Sequence, residues 1–321
     1  MLSPPSATLL TEMRILLASP RGFCAGVDRA IEIVERAIQK TDGPVYVRHE
    51  IVHNRHVVDS LQAKGAVFVE EPTDAPRDGR LIFSAHGVSP AIRKAARERN
   101  LDVTDATCPL VTKVHKEVER MQREGSQIIM IGHAGHVEVE GTMGHAPESM
   151  HLVETVADVE TLEIDADARL GCVTQTTLSV DDTQDVMVAL KKRFPNIQLP
   201  RKDDICYATQ NRQNAIKELA ESCELVLIVG APTSSNSNRL VEVAAKKGAK
   251  SHLITSAKDI KAEWLEGVEC VGVSAGASTP EVLVEGVVET LAELAGPDTE
   301  CTALPTVDEG MHFKLPRELR D

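Results

Sequence analysis

The sequence predicts an α/β protein built from three similar domains with mostly parallel sheets. Short runs rich in Val, Ile and Leu alternate with amphipathic helical patterns along the 321 residues, as in sheets whose strands are buried on both faces. Cys24, Cys108 and Cys206 each stand at the start of a helical pattern. Because similar units follow each cysteine, the chain is interpreted as three copies of one design.

The units that follow each cysteine come in the same order. A strand, a polar loop and a helix are predicted in PVYVRHEIVHNRHVVDSLQAKG, SQIIMIGHAGHVEVEGTMGHA and CELVLIVGAPTSSNSNRLVEVAAKKG. A short strand comes next, in AVFVEEP, MHLVETV and SHLITSA. The last strand, loop and helix lie in RLIFSAHGVSPAIRKAARE, ARLGCVTQTTLSVDDTQDVMVALKK and VECVGVSAGASTPEVLVEGVVETLAEL. Ligands bind beyond the carboxyl ends of parallel strands, which is where these polar loops lie.

The repeat predicts five segments. They are a flexible N-terminal extension (residues 1–12), an α/β domain with Cys24 (13–102), a second with Cys108 (103–199), a third with Cys206 (200–296) and a C-terminal tail (297–321). The first buried strand begins at Met13, in MRILLASP.

Composition limits the partners that this protein can have. A net charge of −14 and an aromatic content of 2% argue against a nucleic-acid partner. No apolar run is long enough to span a membrane, and no secretion signal is visible, so we expect a cytoplasmic protein without a membrane partner. An acidic chain that binds an anionic substrate must supply the attraction locally.

Cys108 has the surroundings of a reactive thiol. Thr107 could cap the next helix and Pro109 suits its first turn, while apolar residues continue at helical spacing. A helix N-terminus lowers the pKa of a thiol, so we expect a thiolate here. For one cysteine alone, a small buried residue near a turn is the competing interpretation.

The seven cysteines divide into two groups. Cys172, Cys223 and Cys270 fall in or beside apolar strand-like runs and are predicted to lie in the core, and there is no CxxC pair. Three thiols at equivalent places in three equivalent domains can meet on a pseudo-threefold axis. Such a set suits an iron–sulfur site with one iron open for chemistry, with a closed zinc site completed by a histidine and simple coincidence as the alternatives.

The remaining loops are rich in neutral hydrogen-bond donors. These donors are His53, His86, His133, His136, Thr174 to Thr177, Ser234, Ser235, Asn236, Ser274 and Ser278. Most of these loops precede a helix, so together they could bind a phosphate or diphosphate, although no Walker or GxGxxG pattern is present. Glu138, on the loop of His136, is a candidate general acid, and Glu140 competes with it.

These motifs resemble the IspH/LytB family of 4-hydroxy-3-methylbut-2-enyl diphosphate reductases of the non-mevalonate isoprenoid pathway. The resemblance covers about residues 13–295 and is carried by RGFCAGV, EIVHN, FSAHGVS, DATCPLVTKVH, GHVEVEGTMG, TQTTLSVDDT, DICYATQNRQ, SSNSNRL and SAGAS. It implies a trefoil of three α/β domains around a central [4Fe–4S] cluster, one per chain, with one iron lacking a cysteine ligand. It also implies reductive dehydration of the substrate to isopentenyl and dimethylallyl diphosphate.

The resemblance implies a role for each candidate residue. Cys24, Cys108 and Cys206 would hold the cluster. The substrate-binding residues would be His53, His86, His136, Thr176, Ser234, Ser235, Asn236 and Ser278. Glu138, Thr176 and His136 would be catalytic, with Glu138 as the proton source. The family's usual proline after His136 is Val137 here, and GAPTSSNSN lacks the family's more usual lysine, so we expect at most altered loop rigidity.

The sequence shows no flavin or nicotinamide motif, so electrons are expected from a separate carrier such as a ferredoxin or flavodoxin. The stretches IRKAARER and LKKRF are locally basic and could meet an acidic carrier. A non-catalytic iron–sulfur redox sensor and a dehydratase of the quinolinate-synthase type are the alternative functions. The dehydratase would need loops with arginine to bind the carboxylates of its substrate, whereas these loops carry histidine, serine and asparagine.

Overall fold

The computed structural model describes residues 13–165, 167–200, 204–296 and 299–320. The predicted extension over residues 1–12 lies outside the described residues. The chain divides into two compact units. One contains the described residues up to Phe23 together with Asn211–Glu309, and the other contains Cys24–Gln210 and the residues from Gly310 onward.

Strands and α-helices alternate along most of the described chain. In chain order they are β1 (Arg14–Leu17), α1 (Ala25–Gln39), β2 (Val45–Arg48), α2 (Arg55–Ala63), β3 (Ala66–Val69), β4 (Arg80–Phe83), α3 (Pro90–Glu98), β5 (Asp102–Asp105), α4 (Pro109–Arg123), β6 (Gln127–Ile131), α5 (Val137–Met143), β7 (Met150–Val153), α6 (Val156–Thr161), β8 (Leu170–Thr174), α7 (Val180–Arg193), α8 (Tyr207–Ser222), β9 (Leu225–Val229), α9 (Ser235–Lys246), β10 (Lys250–Ile254), β11 (Cys270–Ala275), α10 (Glu281–Ala295) and β12 (Glu300–Ala303).

The unit that includes Asn211–Glu309 contains a five-stranded sheet in the order β10-β9-β11-β1-β12. All its strand pairs are parallel. Ile15, Leu227 and Val273 are fully buried in its core. Cys223 and Cys270 are buried in this unit, as predicted, and their sulfur atoms lie 2.7 Å apart.

The unit that includes Cys24–Gln210 contains two sheets, β3-β2-β4-β5 and β7-β6-β8. Their strand pairs are also parallel. The α/β class with parallel sheets is therefore confirmed. Cys172, on β8, is fully buried, as predicted.

Two strands, β1 and β12, belong to a sheet whose other strands lie far from them or in another predicted segment of the sequence. β1 follows the N-terminal extension in sequence, but it pairs with β11 and β12, while β12 falls in the predicted tail. All four residues of β12 are exposed, so it lacks the apolar pattern that marks a buried strand. The three domain boundaries stay a prediction.

The last residues of the chain pack along α1. Arg29 Nε donates to the Lys314 carbonyl at 3.0 Å, and Arg36 Nη1 donates to the Leu319 carbonyl at 3.0 Å. Leu319 is fully buried. This stretch of the predicted tail is therefore held in place. Among the described helices, none has the length and apolar character needed to cross a membrane.

Candidate active site

The three candidate ligand cysteines all lie at helix N-termini within the unit Cys24–Gln210. Cys24 is the N-cap of α1, and Cys108 is the N-cap of α4 with Pro109 in the first turn. Cys206 immediately precedes α8, and its sulfur accepts a hydrogen bond from the Thr209 N–H at 3.4 Å. The predicted placement of all three thiols is confirmed.

The expectation that Thr107 caps α4 is wrong. The cap position belongs to Cys108 itself, one residue later. The Thr107 hydroxyl instead donates to the Asp105 carboxylate, which also accepts from the Thr107 N–H at 2.9 Å. This turn fixes the backbone that leads into Cys108.

The first turn of α1 passes close to two of the thiols. A Cβ atom added at Gly26 would lie 2.9 Å from Cys108 Sγ and 3.7 Å from Cys24 Sγ. Glycine therefore leaves a space beside the two sulfurs that any other side chain would fill. The negative charge that Cys24 or Cys206 would carry as a thiolate acts against ionisation of Cys108 and contributes to raising its pKa.

The donor set of these three cysteines suits a multi-iron cluster. Among the described residues, no three side chains of His, Cys, Asp or Glu are arranged to hold one metal ion. A closed zinc site needs four ligands at about 2.0–2.3 Å from one centre. Iron–sulfur clusters are held by cysteine thiolates, so the three cysteines and the space at Gly26 fit an iron–sulfur group.

The expectation of a lowered thiol pKa is wrong for the bare chain. Burial raises the pKa of Cys108 to about 12 and that of Cys206 to about 11. The N–H groups of Leu110 and Val111, at the start of α4, act in the opposite direction but are outweighed. Buried thiols that repel each other's charge need a cation to become thiolates, as iron would provide.

Replacing Gly26 with alanine is expected to reduce the iron and sulfide content of the purified protein several-fold. The new methyl group would lie 2.9 Å from Cys108 Sγ, so either the sulfur or α1 must move. Gly286→Ala in α10 is the matched control, because nothing lies within 4 Å of the added Cβ. Iron and sulfide analysis of both variants is the measurement. A fully loaded Gly26→Ala protein would contradict the assignment of this space to the cluster.

Three candidate histidines come together in the same unit. Each lies beyond the carboxyl end of a strand: His53 after β2, His86 after β4 and His136 after β6. The ring centroids of His53 and His86 are 4.2 Å apart, and that of His136 is 5.6 Å from His53 and 6.2 Å from His86. His133, on the same loop as His136, lies beside Glu154 instead, 3.2 Å from Nδ1 to the carboxylate.

Burial and repulsion from nearby histidines lower the pKa of His86 and His136 and keep these two rings neutral. The pKa of His136 is lowered to about 4 and that of His86 well below its usual value, first by burial and then by nearby histidines. An anion between the rings would reverse the second effect, because each imidazolium would then gain an opposite charge. Ring nitrogens gathered beyond the carboxyl ends of three strands are suited to binding an anion such as a phosphate group.

Gly87 fixes the turn that places His86. Its φ of 84° lies in the left-handed region, and a Cβ there would come within 2.6 Å of the ring of His115. Ser84 Oγ lies 3.3 Å from His86 Nδ1. His86 is thus held by the backbone on one side and by a hydroxyl on the other.

Glu138 is a buried carboxyl with two hydrogen bonds from one residue. It is 3% exposed, and its oxygens accept from the Thr176 N–H at 2.6 Å and the Thr176 hydroxyl at 3.0 Å. The Thr176 carbonyl in turn accepts from the Cys206 N–H at 3.0 Å. A direct chain of contacts therefore joins the carboxyl to a candidate cluster ligand.

Burial raises the pKa of Glu138 to about 7. The negative charge of Asp204 acts in the same direction, while the hydrogen bonds from Thr176 oppose it. A carboxyl with such a pKa holds or releases a proton near neutral pH, as a general acid must. The competitor Glu140 is exposed.

The expectation that Glu138 lies on a loop is wrong. It belongs to the first turn of α5, and His136 is the N-cap whose Nδ1 accepts from the Glu138 N–H at 3.1 Å. Val137, at the position of the family's usual proline, is the first residue of α5, where proline is tolerated because its N–H has no helical partner. The change therefore leaves His136 and Glu138 in place.

The other candidate substrate-binding residues lie in the unit that includes Asn211–Glu309. Ser234 is the N-cap of α9, and Asn236 Oδ1 accepts from the Ala277 N–H at 2.9 Å, one residue before Ser278. The start of α9 and the loop after β11 thus meet. Within the described residues, Ser235 Oγ is buried without a hydrogen-bond partner, so its hydroxyl is available to a ligand oxygen.

Sequence reasoning missed two residues that shape the site. Gly26 lies in the motif RGFCAGV, where nothing in the sequence distinguishes it from the other residues of the predicted helix. Asp204 is 7% exposed, accepts from Lys113 Nζ at 3.2 Å and raises the pKa of Glu138. Its place two residues before Cys206 is the one signal that could have drawn attention to it.

Known proteins match the chain over nearly its whole length. Residues 15–292 match the family described as LytB protein. The chain belongs to the LytB family. LytB relatives named 4-hydroxy-3-methylbut-2-enyl diphosphate reductase are 58% identical to it. One, from Chromobacterium violaceum, aligns over 95% of this chain and 98% of its own length, and one from Escherichia coli O139:H28 over 96% and 98%.

Solved structures extend the LytB match to the fold. The E-1-hydroxy-2-methyl-but-2-enyl-4-diphosphate reductase from Plasmodium falciparum superposes with a TM-score of 0.93 at 39% identity, covering 96% of this chain and 97% of its own. A second structure, titled (E)-4-hydroxy-3-methyl-but-2-enyl diphosphate reductase, has a TM-score of 0.62 at 33% identity and covers 88% and 99%. Membership of the LytB family implies an iron–sulfur cofactor.

Proposed function

We propose that this chain catalyses the reductive dehydration of 4-hydroxy-3-methylbut-2-enyl diphosphate to isopentenyl diphosphate and dimethylallyl diphosphate. In this reaction an allylic C–O bond breaks and a C–H bond forms, with two electrons and two protons consumed and one water released. The observation that carries the proposal is the buried Glu138 carboxyl, which accepts two hydrogen bonds from Thr176. Both residues lie in the unit that also contains the three thiols. The 58% identity with named reductases supports the same reaction.

The cofactor is one [4Fe–4S] cluster per chain, held by Cys24, Cys108 and Cys206. The space at Gly26 and the mutual repulsion of the thiolates support this ligand set. When bound, the cluster supplies single electrons and, at the iron without a cysteine ligand, a Lewis acid for the substrate's C–O bond.

The three neighbouring histidines bind the diphosphate of the substrate. His53, His86 and His136 present ring nitrogens at close quarters, and the lowered pKa values of His86 and His136 keep these two rings neutral before the anion arrives. Binding of the anion then favours protonation of His86 and His136, which adds positive charge together with the ligand. We also assign Ser234, Ser235, Asn236 and Ser278 to substrate binding, on the unsatisfied Ser235 hydroxyl and the family resemblance.

Glu138 delivers the proton that lets water leave. Its pKa of about 7 leaves a large protonated fraction at neutral pH, and burial keeps bulk water away from it. Thr176 orients the carboxyl through two hydrogen bonds and places a hydroxyl beside it for the substrate oxygen. His136 starts the helix on which Glu138 lies, so ligand contacts at His136 also position the acid.

An external carrier such as a ferredoxin or flavodoxin supplies the electrons, because the sequence has no flavin or nicotinamide motif. The testing experiment is turnover of the substrate by anaerobically prepared protein with methyl viologen radical as the reductant. Five-carbon diphosphates formed by protein with about four irons per chain would support the proposal. A fully loaded cluster without turnover would refute it and favour the redox sensor.

A further inference from the structure

A cavity of about 910 Å³ lies beside α4, outside the residues assigned to the substrate. We call it the α4 groove. Its basic side chains are Arg29, Lys113, Lys116, Arg120 and Arg123. Its acidic side chains are Asp105, Glu117 and Asp204. Five basic against three acidic groups give this surface a basic excess in a chain of net charge −14.

The carboxylates of the α4 groove are already neutralised. Asp105 accepts from Arg93 at 2.6 Å, Asp204 from Lys113 at 3.2 Å, and Glu117 from Arg120 at 2.6 Å. Lys116 and Arg123 are exposed, lie seven residues apart on α4 and form no ion pair with any described residue. Their charges are therefore available to an incoming partner.

The α4 groove borders the backbone that carries Cys108. Thr107 and Pro109 line it, and each is adjacent to that cysteine in the chain, where consecutive Cα atoms lie about 3.8 Å apart. Arg29 Nη1 donates to the Ala106 and Thr107 carbonyls at 3.3 and 3.2 Å, which fixes this segment. A protein seated in the groove is thus one backbone segment away from a candidate cluster ligand.

We propose that the α4 groove is the docking surface for an acidic one-electron carrier protein. The inference rests on the proposed function, in which two carrier molecules each lose one electron for every C–O bond broken. The two electrons and two protons convert the allylic alcohol to a C–H bond and water. Complementary charge at this one surface offsets the repulsion between two acidic proteins and speeds their encounter.

The two basic stretches that the sequence offers for this role are weaker candidates. In IRKAARER, on α3, Arg93 pairs with Asp105 and Lys94 lies 3.7 Å from Glu98. In LKKRF, at the end of α7, Arg193 donates to the Val159 and Leu162 carbonyls. Neither stretch is adjacent in sequence to a candidate cluster cysteine.

The test compares charge reversals inside and outside the groove. The double variant Lys116→Glu/Arg123→Glu is set against Lys94→Glu and Lys192→Glu, which are exposed lysines on α3 and α7. With a reduced acidic [2Fe–2S] ferredoxin, kcat/KM of the double variant is expected to fall about tenfold at low ionic strength. Turnover with methyl viologen radical should be unchanged, and the two controls should behave as wild type.

Binding of the oxidised ferredoxin, measured by calorimetry, separates this proposal from the proposed function. A Kd about tenfold weaker in the double variant alone supports the docking surface, even if the wild type fails to turn over with methyl viologen and the proposed function falls. An unchanged Kd in the double variant, or an equal loss in the controls, overturns the docking surface whatever the turnover.

Discussion

Glu138→Gln is expected to lower kcat by about 10²–10⁴-fold, the usual contribution of a general acid, while the iron and sulfide content stays at the wild-type level. Glutamine keeps the shape of the side chain and an oxygen that can accept from Thr176, but its amide has no acidic proton to transfer. The loss therefore falls on the chemical step. The measurement is turnover with methyl viologen radical on protein of known iron content.

The pH dependence gives the same variant a second readout. Glu138 acts as an acid only when protonated, and its pKa is about 7, so kcat should be full below pH 7 and fall as pH rises through it. This limb of the pH profile should be missing from the residual activity of Glu138→Gln. Glu140→Gln, an exchange on the exposed face of α5, is the matched control and should keep both rate and profile. An equal loss in the two variants would contradict the assignment.

Glu138→Gln should raise the stability of the fold although it lowers the activity. The folded-state pKa of Glu138 lies above its ordinary 4.5, so folding binds a proton between pH 4.5 and 7, and the free energy of unfolding falls over that window as pH rises. Above pH 7 the ionised, buried carboxyl lowers the free energy of unfolding by about 3 kcal/mol. The Glu138→Gln variant lacks this ionised carboxyl, so at pH 8 it should unfold at a higher urea concentration than the wild type.

The sequence could predict the positions of the chemistry-bearing residues because they follow from local rules. Cys24 and Cys108 open helices, and each predicted histidine follows a strand, as the repeat requires. Those patterns reflect capping and the alternation of strands and helices, which are local properties. The parallel sheets follow from the same alternation.

The pKa of the thiols could not be read from local position. A helix N-terminus favours a thiolate, but the pKa of Cys108 is raised to about 12 because burial depends on what the rest of the fold places around it. The same holds for Gly26, whose role depends on sulfurs from two different segments. β12 was missed because an exposed edge strand carries no apolar alternation.

Arg212 is the charged side chain whose loss should destabilise the fold most. It lies on α8 and is fully buried. Its guanidinium pairs with Glu309 at 3.1 Å and donates to the Gly22 carbonyl at 2.7 Å and the Phe23 carbonyl at 3.1 Å. One planar group thus satisfies a carboxylate and two carbonyls in the segment that leads to Cys24, a task suited to the fork of an arginine.

Arg212→Met should therefore lower the free energy of unfolding by about 3–5 kcal/mol, because the partners of a buried ion pair are left without compensation. Arg212→Lys should recover only part of the free energy of unfolding that Arg212→Met loses, since an ammonium cannot reach all three acceptors in one plane. Arg239→Met, which removes a more exposed pair with Glu242 on α9, is the control and should cost less than about 1 kcal/mol. Urea unfolding of the metal-free chains measures all three. A loss at Arg212 no larger than at Arg239 would show that the segment before Cys24 is held by other contacts, whereas the expected loss, joined to a lower iron content, would identify Arg212 as the residue that positions it.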